Sequence, residues 1–515
     1  MTTALRFAST ALRRAHRRQA TQLLAMHVRA YTALSHAPFR QAPAPAAFSS
    51  SEPTASTTST SSAASLSAPV LDEAATSATY EFLLQRLYQV NRFTAVKLGI
   101  ENMKQLNAAF GDPAARYEVV HVAGTNGKGS VAFKVAKALE RSGYKVGLFV
   151  SPHVACFRER IQVNGELISE AQVCATLAEV FNVSAQLRIP ATFFELTTML
   201  AFQHFAKQNV DCVDISREKA GIMKPNVPVV IGPHAPLDIM RSHAERLNAP
   251  LVQVQHENDF DDDFNAENTA IARETVVQLN RLSHKVGNSE LCVDLDSRRV
   301  ASALESRPPC RFQVFHIVRP NSAERKVTIV LDVAHNQPAI ERLVDLLRKR
   351  FPDQKFRFVC GFSADKDMRR VVSTIAHACR HNALESEASD ASLLQQRIHL
   401  VKANNPRGAS LDEVNRALTA PSSQEVHESV EDVWTRPFDA ISTIEDGVNE
   451  AIAAARASPD DEVVVVCGSV FLMAEARQAL GFKEPIDSPA LNTVAGAHLS
   501  TPESRLAAAK RVVSA

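Results

Sequence analysis

From about residue 78 onward, short apolar runs alternate with stretches in which apolar side chains recur every three or four positions. The runs at 118–123, 145–150, 228–231 and 250–254 read as strands. The spaced stretches at 81–89, 103–110, 192–207 and 267–282 read as helices, and in 192–207 Phe194, Leu196, Leu200, Ala201 and Phe205 can share a core face. A second set begins near Arg307, with strands at 327–332, 356–361, 398–402 and 462–468 and a helix at 339–350. Strands alternating with helices predict an α/β architecture with mostly parallel sheets, built as two units. Segments 386–397 and 422–436 read as loop-rich insertions, and beyond Pro485 the pattern weakens into Ala, Ser and Thr, predicting an appendage. The acidic run 257–263 lacks regular ligand spacing and reads as a solvated loop.

Composition narrows the classes. With 45% hydrophobic and 22% charged residues and a net charge of +1, the 515-residue chain is an ordinary globular protein without a nucleic-acid bias. Its apolar runs are strand-sized, which argues against a membrane span. Eight cysteines are scattered without a Cys-x-x-Cys pair, so neither a zinc knuckle nor a disulfide framework is indicated. Residues 1–51 hold seven arginines and no Asp or Glu. Leu5, Ala8, Leu12 and Ala15 can face one side of a helix with Arg13, Arg14, Arg17 and Arg18 on the other, as in a mitochondrial transit peptide; a disordered basic arm is the alternative. The expected divisions are a transit peptide at 1–50, a flexible linker at 51–77, α/β units at 78–305 and 306–484, and a tail at 485–515.

Candidate chemistry concentrates at one place. The apolar run 118–123 leads into Gly124-Thr-Asn-Gly-Lys-Gly-Ser130, and helical spacing resumes at Val131, Val135, Ala138 and Leu139. Gly124, Gly127 and Gly129 allow successive amides to turn toward phosphate oxygens, Lys128 adds charge, and the following helix N-terminus favours anions. The familiar phosphate loop has four residues between its first glycine and Gly-Lys; this one has two, Thr125 and Asn126.

The order of further motifs resembles the folylpolyglutamate synthase and dihydrofolate synthase family of the Mur ligase superfamily. They are His121-Val-Ala-Gly-Thr-Asn-Gly-Lys-Gly-Ser130, Ser151-Pro-His153, Arg158-Glu-Arg-Ile161, Thr192-Phe-Phe-Glu-Leu-Thr197, Arg217-Glu-Lys-Ala-Gly-Ile222, Cys310-Arg-Phe312, Leu331-Asp-Val-Ala-His-Asn336, Ser363-Ala-Asp-Lys-Asp367 and Val466-Cys-Gly-Ser469. The resemblance implies an N-terminal P-loop ATPase domain and a C-terminal Rossmann-like Mur ligase domain. It implies ATP-dependent addition of L-glutamate to folate or dihydropteroate through an acyl phosphate, with ATP and Mg²⁺ and an optional monovalent cation. It further implies that Gly124, Thr125, Asn126, Gly127, Lys128, Gly129 and Ser130 hold phosphates, with Arg311 and Asp332 contacting the nucleotide from the second domain. Ser151 would be a metal ligand, Lys219 a carbamylated lysine, and His335 and Ser469 would lie near the glutamate. Read alone, Ser151 is equally a turn serine, Lys219 a solvated charge and His335 a turn residue. A monomer in the mitochondrial matrix, with a cytoplasmic pool as an alternative, is the expected state. A site split between two domains implies closure around ATP before chemistry. Which of the two synthase activities the chain has is left open.

The chain departs from the family pattern at one join. After Val213, about 40 residues of that pattern are missing, among them a strand ending in Glu-Val-Gly and one ending in Asp-His. A catalytically impaired homologue that binds nucleotide or folate without turnover is therefore the alternative function. Cys310 and Val333 also stand where the family shows glycine.

Overall fold

The computed structural model describes residues 73–93, 100–124, 126–217, 223–255, 263–285, 292–317, 326–364, 366–380, 392, 395–420 and 436–495. Among these, no helix is long and apolar enough to cross a membrane. The expected transit peptide, the linker up to residue 72, most of the acidic run and most of both insertions lie outside them, whereas the last residues of the expected linker, from Glu73, are helical.

The N-terminal half opens with α1 (Glu73–Phe93) and α2 (Glu101–Ala109), then β1 (Glu118–Ala123), α3 (Lys128–Arg141) and β2 (Val146–Phe149). A short antiparallel pair follows, β3 (Ile161–Val163) and β4 (Glu166–Leu167), then α4 (Glu170–Gln186), α5 (Phe193–Gln208) and β5 (Cys212–Arg217). Capping boxes start both helices: Ser169 with Gln172 for α4, Thr192 with Glu195 for α5. The sheet order is β1-β5-β2-β3-β4, with β5 parallel to β1 and β2 on either side. One face carries Leu84, Phe149, Phe157, Leu200 and Phe205; the other carries Val120, Val135, Leu139 and Leu148.

The join after Val213 runs straight through a central strand. β5 stays extended to Arg217, and Asp214 stands in register between Val120 and Leu148. Asp214 is fully buried, and neither carboxylate oxygen has a hydrogen-bond partner among the described residues. Burial pushes its carboxyl well above the usual range, against a smaller lowering by the Ile215 amide.

Beyond the join come β6 (Val229–Ile231), α6 (Leu237–Arg246), β7 (Leu251–Gln253), α7 (Phe264–Lys285) and α8 (Arg298–Glu305). β6 and β7 pair in parallel as a separate two-stranded sheet, while α7 packs on both α3 and β6. Among the described residues β1 pairs only with β5, and Val119 is 38% exposed. From α3 the buried Lys134 reaches across to the Leu304 and Ser306 carbonyls at 2.5 and 2.9 Å, which ties the start of the inter-domain connection to the loop-bearing helix.

The C-terminal half holds β8 (Gln313–Ile317), β9 (Val327–Leu331), α9 (Gln337–Arg350), β10 (Lys355–Cys360), α10 (Met368–Cys379) and β11 (Ile398–Leu400). It continues with α11 (Leu411–Thr419), α12 (Ile444–Ala457), β12 (Glu462–Cys467) and α13 (Met473–Ala479). Its sheet runs β11-β10-β12-β9-β8, parallel except for β8 on the edge. Every residue of β9, β10 and β12 is buried, as a parallel sheet covered by helices on both faces requires. A last helix, α14 (Pro489–Val494), lies in the stretch expected as an appendage, yet Leu491 is 1% exposed in the N-terminal core.

Candidate active site between two helix N-termini

β1 delivers the chain to the phosphate loop at the C-terminal edge of the sheet. Gly124 and Gly127 take φ values of 146° and 78°, which a side chain would resist. A β-carbon on Gly127 would collide with the Asn268 amide of α7, so the loop is seated against that helix. α3 then begins at Lys128, with Ser130 buried in its first turn. Thr125 lies outside the described residues, as does Lys219.

The C-terminal half presents a second helix start to the same loop. Asn336 caps α9 by accepting the Ala339 amide at 3.0 Å, and its Nδ2 donates to Asn126 Oδ1 at 3.4 Å. The N-termini of α3 and α9 are thereby brought to one place, and two positive dipole ends converge where an anion would sit. The carboxylate of Asp332, at the end of β9, accepts the Phe312 and Ala334 amides, each at 2.7 Å. Burial raises its pKa, and the neighbouring Arg311 offsets part of that. Arg311 sits between Cys310 and Phe312, both in the left-handed region at φ 56° and 47°. The β-carbon of Cys310 therefore occupies a conformation that favours glycine, whereas Val333 adopts no positive φ. A cleft of about 650 Å³, lined in part by Arg307, Phe312, Lys349 and Arg350, opens beside this strained turn.

His335 and Ser469 are brought together by the sheet. β9 and β12 are neighbours, and the Gly468 amide donates to the Ala334 carbonyl at 2.8 Å, just before each residue. His335 Nδ1 donates to the Val333 carbonyl at 2.9 Å, which leaves Nε2 as the acceptor of a neutral ring, and burial lowers its pKa. Ser469 Oγ accepts the Phe471 amide at 3.3 Å.

Ser151 follows β2, at the same sheet edge as the phosphate loop, before a cis peptide bond to Pro152. Its Oγ accepts a hydrogen bond from Arg160 Nη1 at 2.8 Å, and Arg160 Nε donates to His153 Nδ1 at 2.8 Å. A guanidinium thus lies where a cation ligated by Ser151 would need negative neighbours. Among the described residues no group of three His, Cys, Asp or Glu could hold a metal ion. Among the described residues, the side chains around Ser151 do not fit a protein-held divalent metal.

Sequence reading missed four participants. Asn268 acts through space from a helix, and no local spacing marks it; Asn336 ends a quoted motif, but its bond to Asn126 depends on the two halves meeting. Arg160 lies inside a quoted motif, but its bond to Ser151 depends on the turn at 151–160. Asp487, whose Oδ2 is 3.6 Å from His153 Nε2, comes from a stretch with no periodic signal.

Comparison with known proteins places this geometry. Residues 311–470 match the family model "Mur ligase, glutamate ligase domain". A dihydrofolate synthase/folylpolyglutamate synthase of Bacillus subtilis (strain 168) is 26% identical over 456 residues, covering 75% of this chain and 95% of that protein. A folylpolyglutamate synthase of Lacticaseibacillus casei is 25% identical, with 72% and 92% covered. Among solved structures, a Mycobacterium tuberculosis folylpolyglutamate synthase complexed with ADP superposes with a TM-score of 0.59 at 20% identity, covering 80% of this chain and all of that one. A Yersinia pestis bifunctional folylpolyglutamate synthase/dihydrofolate synthase complexed with AMPPNP and Mn ion gives 0.56 at 23% identity, with 78% and 98% covered. These superpositions share the two-domain fold. With the ordered motifs and the paired helix starts, they lead to one conclusion: the chain carries a Mur ligase glutamate ligase domain at 311–470 and is similar over most of its length to folylpolyglutamate synthases and dihydrofolate synthases.

Proposed function

We propose that this chain is an ATP-dependent ligase that adds L-glutamate to the carboxylate of dihydropteroate or of a reduced folate. The observation that carries the reading is the Asn126–Asn336 contact, which sets the phosphate loop of one half against the helix start of the glutamate ligase half. An acceptor carboxylate oxygen attacks the γ-phosphorus, ADP leaves, and an acyl phosphate forms. The glutamate amine then attacks the acyl carbon, phosphate leaves, and a proton is released.

The side chains have work to do at each stage. Backbone amides at Gly124–Ser130 and Lys128 receive the charge that builds on the transferred phosphoryl group. Asp332 and Arg311 address the nucleotide from the second half. His335, with Nδ1 held by the Val333 carbonyl and its pKa lowered by burial, is suited to take the amine proton at Nε2, and Ser469 follows the neighbouring strand. A divalent metal is proposed for the reaction on the strength of the relatives, with Ser151 and a carbamylated Lys219 the family's expected contributors. No step is assigned through it here, because Arg160 already engages Ser151. Import into the mitochondrial matrix through residues 1–50 and a monomeric state complete the proposal.

Incubation of the full chain with ATP, Mg²⁺, labelled glutamate and either acceptor tests it: a labelled product with one acceptor is expected, and none with both overturns the ligase reading. One observation favours a second reading, a homologue that binds nucleotide or folate without turnover: β5 crosses the join with an unpartnered buried Asp214. Nucleotide affinity indifferent to Mg²⁺, together with no ligation, would select it.

A further inference from the structure

The chain does not end with the C-terminal sheet. After α13 it crosses back to the N-terminal half, and both sides of the crossing are anchored. On the C-terminal side Arg477 donates to the two carboxylate oxygens of Glu484 at 2.6 and 2.7 Å, and Phe482 meets Phe315 edge-on at 5.5 Å. On the N-terminal side the Asp487 amide donates to the Ala155 carbonyl at 3.0 Å, and its carboxylate accepts the Phe157 amide at 3.1 and 3.0 Å. Leu491 is then buried in the same core as Leu84 and Phe157. Asn405 of the C-terminal half closes the crossing with a 3.3 Å bond to the Ala495 carbonyl.

What Asp487 grips is the support of the Ser151 turn. Glu159 accepts the amides of Val154, Ala155 and Cys156 at 2.7 to 2.9 Å and stabilises the turn from within. The Phe157 amide points the other way, and Asp487 is its acceptor. The Phe157 ring lies 5.8 Å beneath the Arg160 guanidinium, and Arg160 in turn holds Ser151 and His153. Phe157 is fully buried, so removing the carboxylate leaves its amide without water or protein to bond.

We propose that Asp487 is a positioning residue for ligation: by fixing the backbone at 155–157 it holds Arg160, and through it Ser151 and His153, at the phosphate-loop edge of the sheet. Residues 483–495 are then a strap that couples the glutamate ligase half to that turn. The inference rests on the ligase reading.

Two variants of the full chain test it, Asp487→Ala and Asp487→Asn. The alanine variant loses about tenfold in kcat while KM for ATP stays within about twofold. The asparagine variant, whose amide oxygen still accepts the Phe157 N–H, stays within about threefold of the unaltered chain. Equal losses in both variants, or a rise in KM at unchanged kcat, overturn the proposal. Hydrogen exchange supplies a readout independent of turnover. Amides at 155–160 exchange about tenfold faster in the alanine variant and not in the asparagine variant, while α5 is unchanged in both. Unchanged exchange at 155–160 in the alanine variant refutes the positioning role. If the unaltered chain does not ligate, the ligase reading fails by itself, and exchange still decides whether Asp487 holds the turn.

Discussion

The two five-stranded sheets of this protein treat a buried charge in opposite ways. In the C-terminal sheet the buried Arg357 of β10 meets Glu462 of β12 through two hydrogen bonds at 2.7 and 3.2 Å, and strands flank both. In the N-terminal sheet the central β5 carries Asp214 with no partner among the described residues, the sheet stops at β1, and β6 and β7 pair apart from it. Parallel strands are normally covered on both faces and paired on both edges, so an isolated two-stranded parallel sheet and a half-exposed β1 mark a layer one or more strands short. The sequence join after Val213 lies inside the affected strand. The family motifs stand on both sides of the join, while among the described residues β6 and β7 stay apart from the sheet that carries the glycine-rich loop.

The largest expected effect comes from the join itself. A transcript carrying an in-frame segment between Val213 and Asp214, with the Glu-Val-Gly and Asp-His patterns, should give a protein whose β1 pairs on both sides and whose ligation rate exceeds that of the present chain. Sequencing that transcript and assaying both proteins checks it; equal rates would remove the join from the account. Next is the C-terminal pair. Glu462→Ala strands a buried guanidinium and should cost about 3 to 5 kcal/mol in denaturant unfolding, a loss far beyond that of a surface pair.

Asp214→Val should move the other way, adding about 2 kcal/mol by replacing an unpartnered buried carboxyl with an apolar side chain in a sheet core. Its pH signature has a definite sign. The native carboxyl holds its proton above the pH at which the unfolded chain loses it, so stability falls as pH rises from the ordinary carboxylate range through the raised native value. Asp487, pushed up to about 6 chiefly by burial, contributes with the same sign between about 4 and 6. Unfolding curves from pH 4 to 8 should slope less in Asp214→Val than in the unaltered chain; identical slopes would mean Asp214 has found a partner. The smallest effect is expected at Asn336→Ala, about 1 kcal/mol from the lost cap of α9, accompanied by weaker nucleotide binding in calorimetry.

Much of the framework was legible. The run at 118–123 is β1, and the runs at 356–361 and 462–468 are β10 and β12 within a residue, because buried parallel strands are continuous apolar segments that contrast with their flanks. β8 went unread because Gln313-Val-Phe-His-Ile alternates on a sheet edge and resembles loop in composition. β3 and β4 are too short to show a period. The phosphate loop, Asp332, His335 and Ser469 lie on continuous motifs. Asn268 and Asp487 act only after the chain has folded back on itself, so no spacing could announce them, and Asn336, though it ends a quoted motif, meets Asn126 only in the folded chain. β5 beyond Val213 also went unread: β1 and β2 offer it backbone partners on both sides through Ile215, and the chain takes them at the cost of burying Asp214.

The crossing at Asp487 also changes how the two halves can move. A pair of domains joined by one connection can swivel about it in any direction, like a ball in a socket. Here the first connection is fixed by Lys134 at Leu304 and Ser306, and the second is fixed by Asp487 at Ala155 and Phe157. Two fixed points define a line, so any hinge motion of one half against the other would be confined to rotation about that line, as a door turns on two pins.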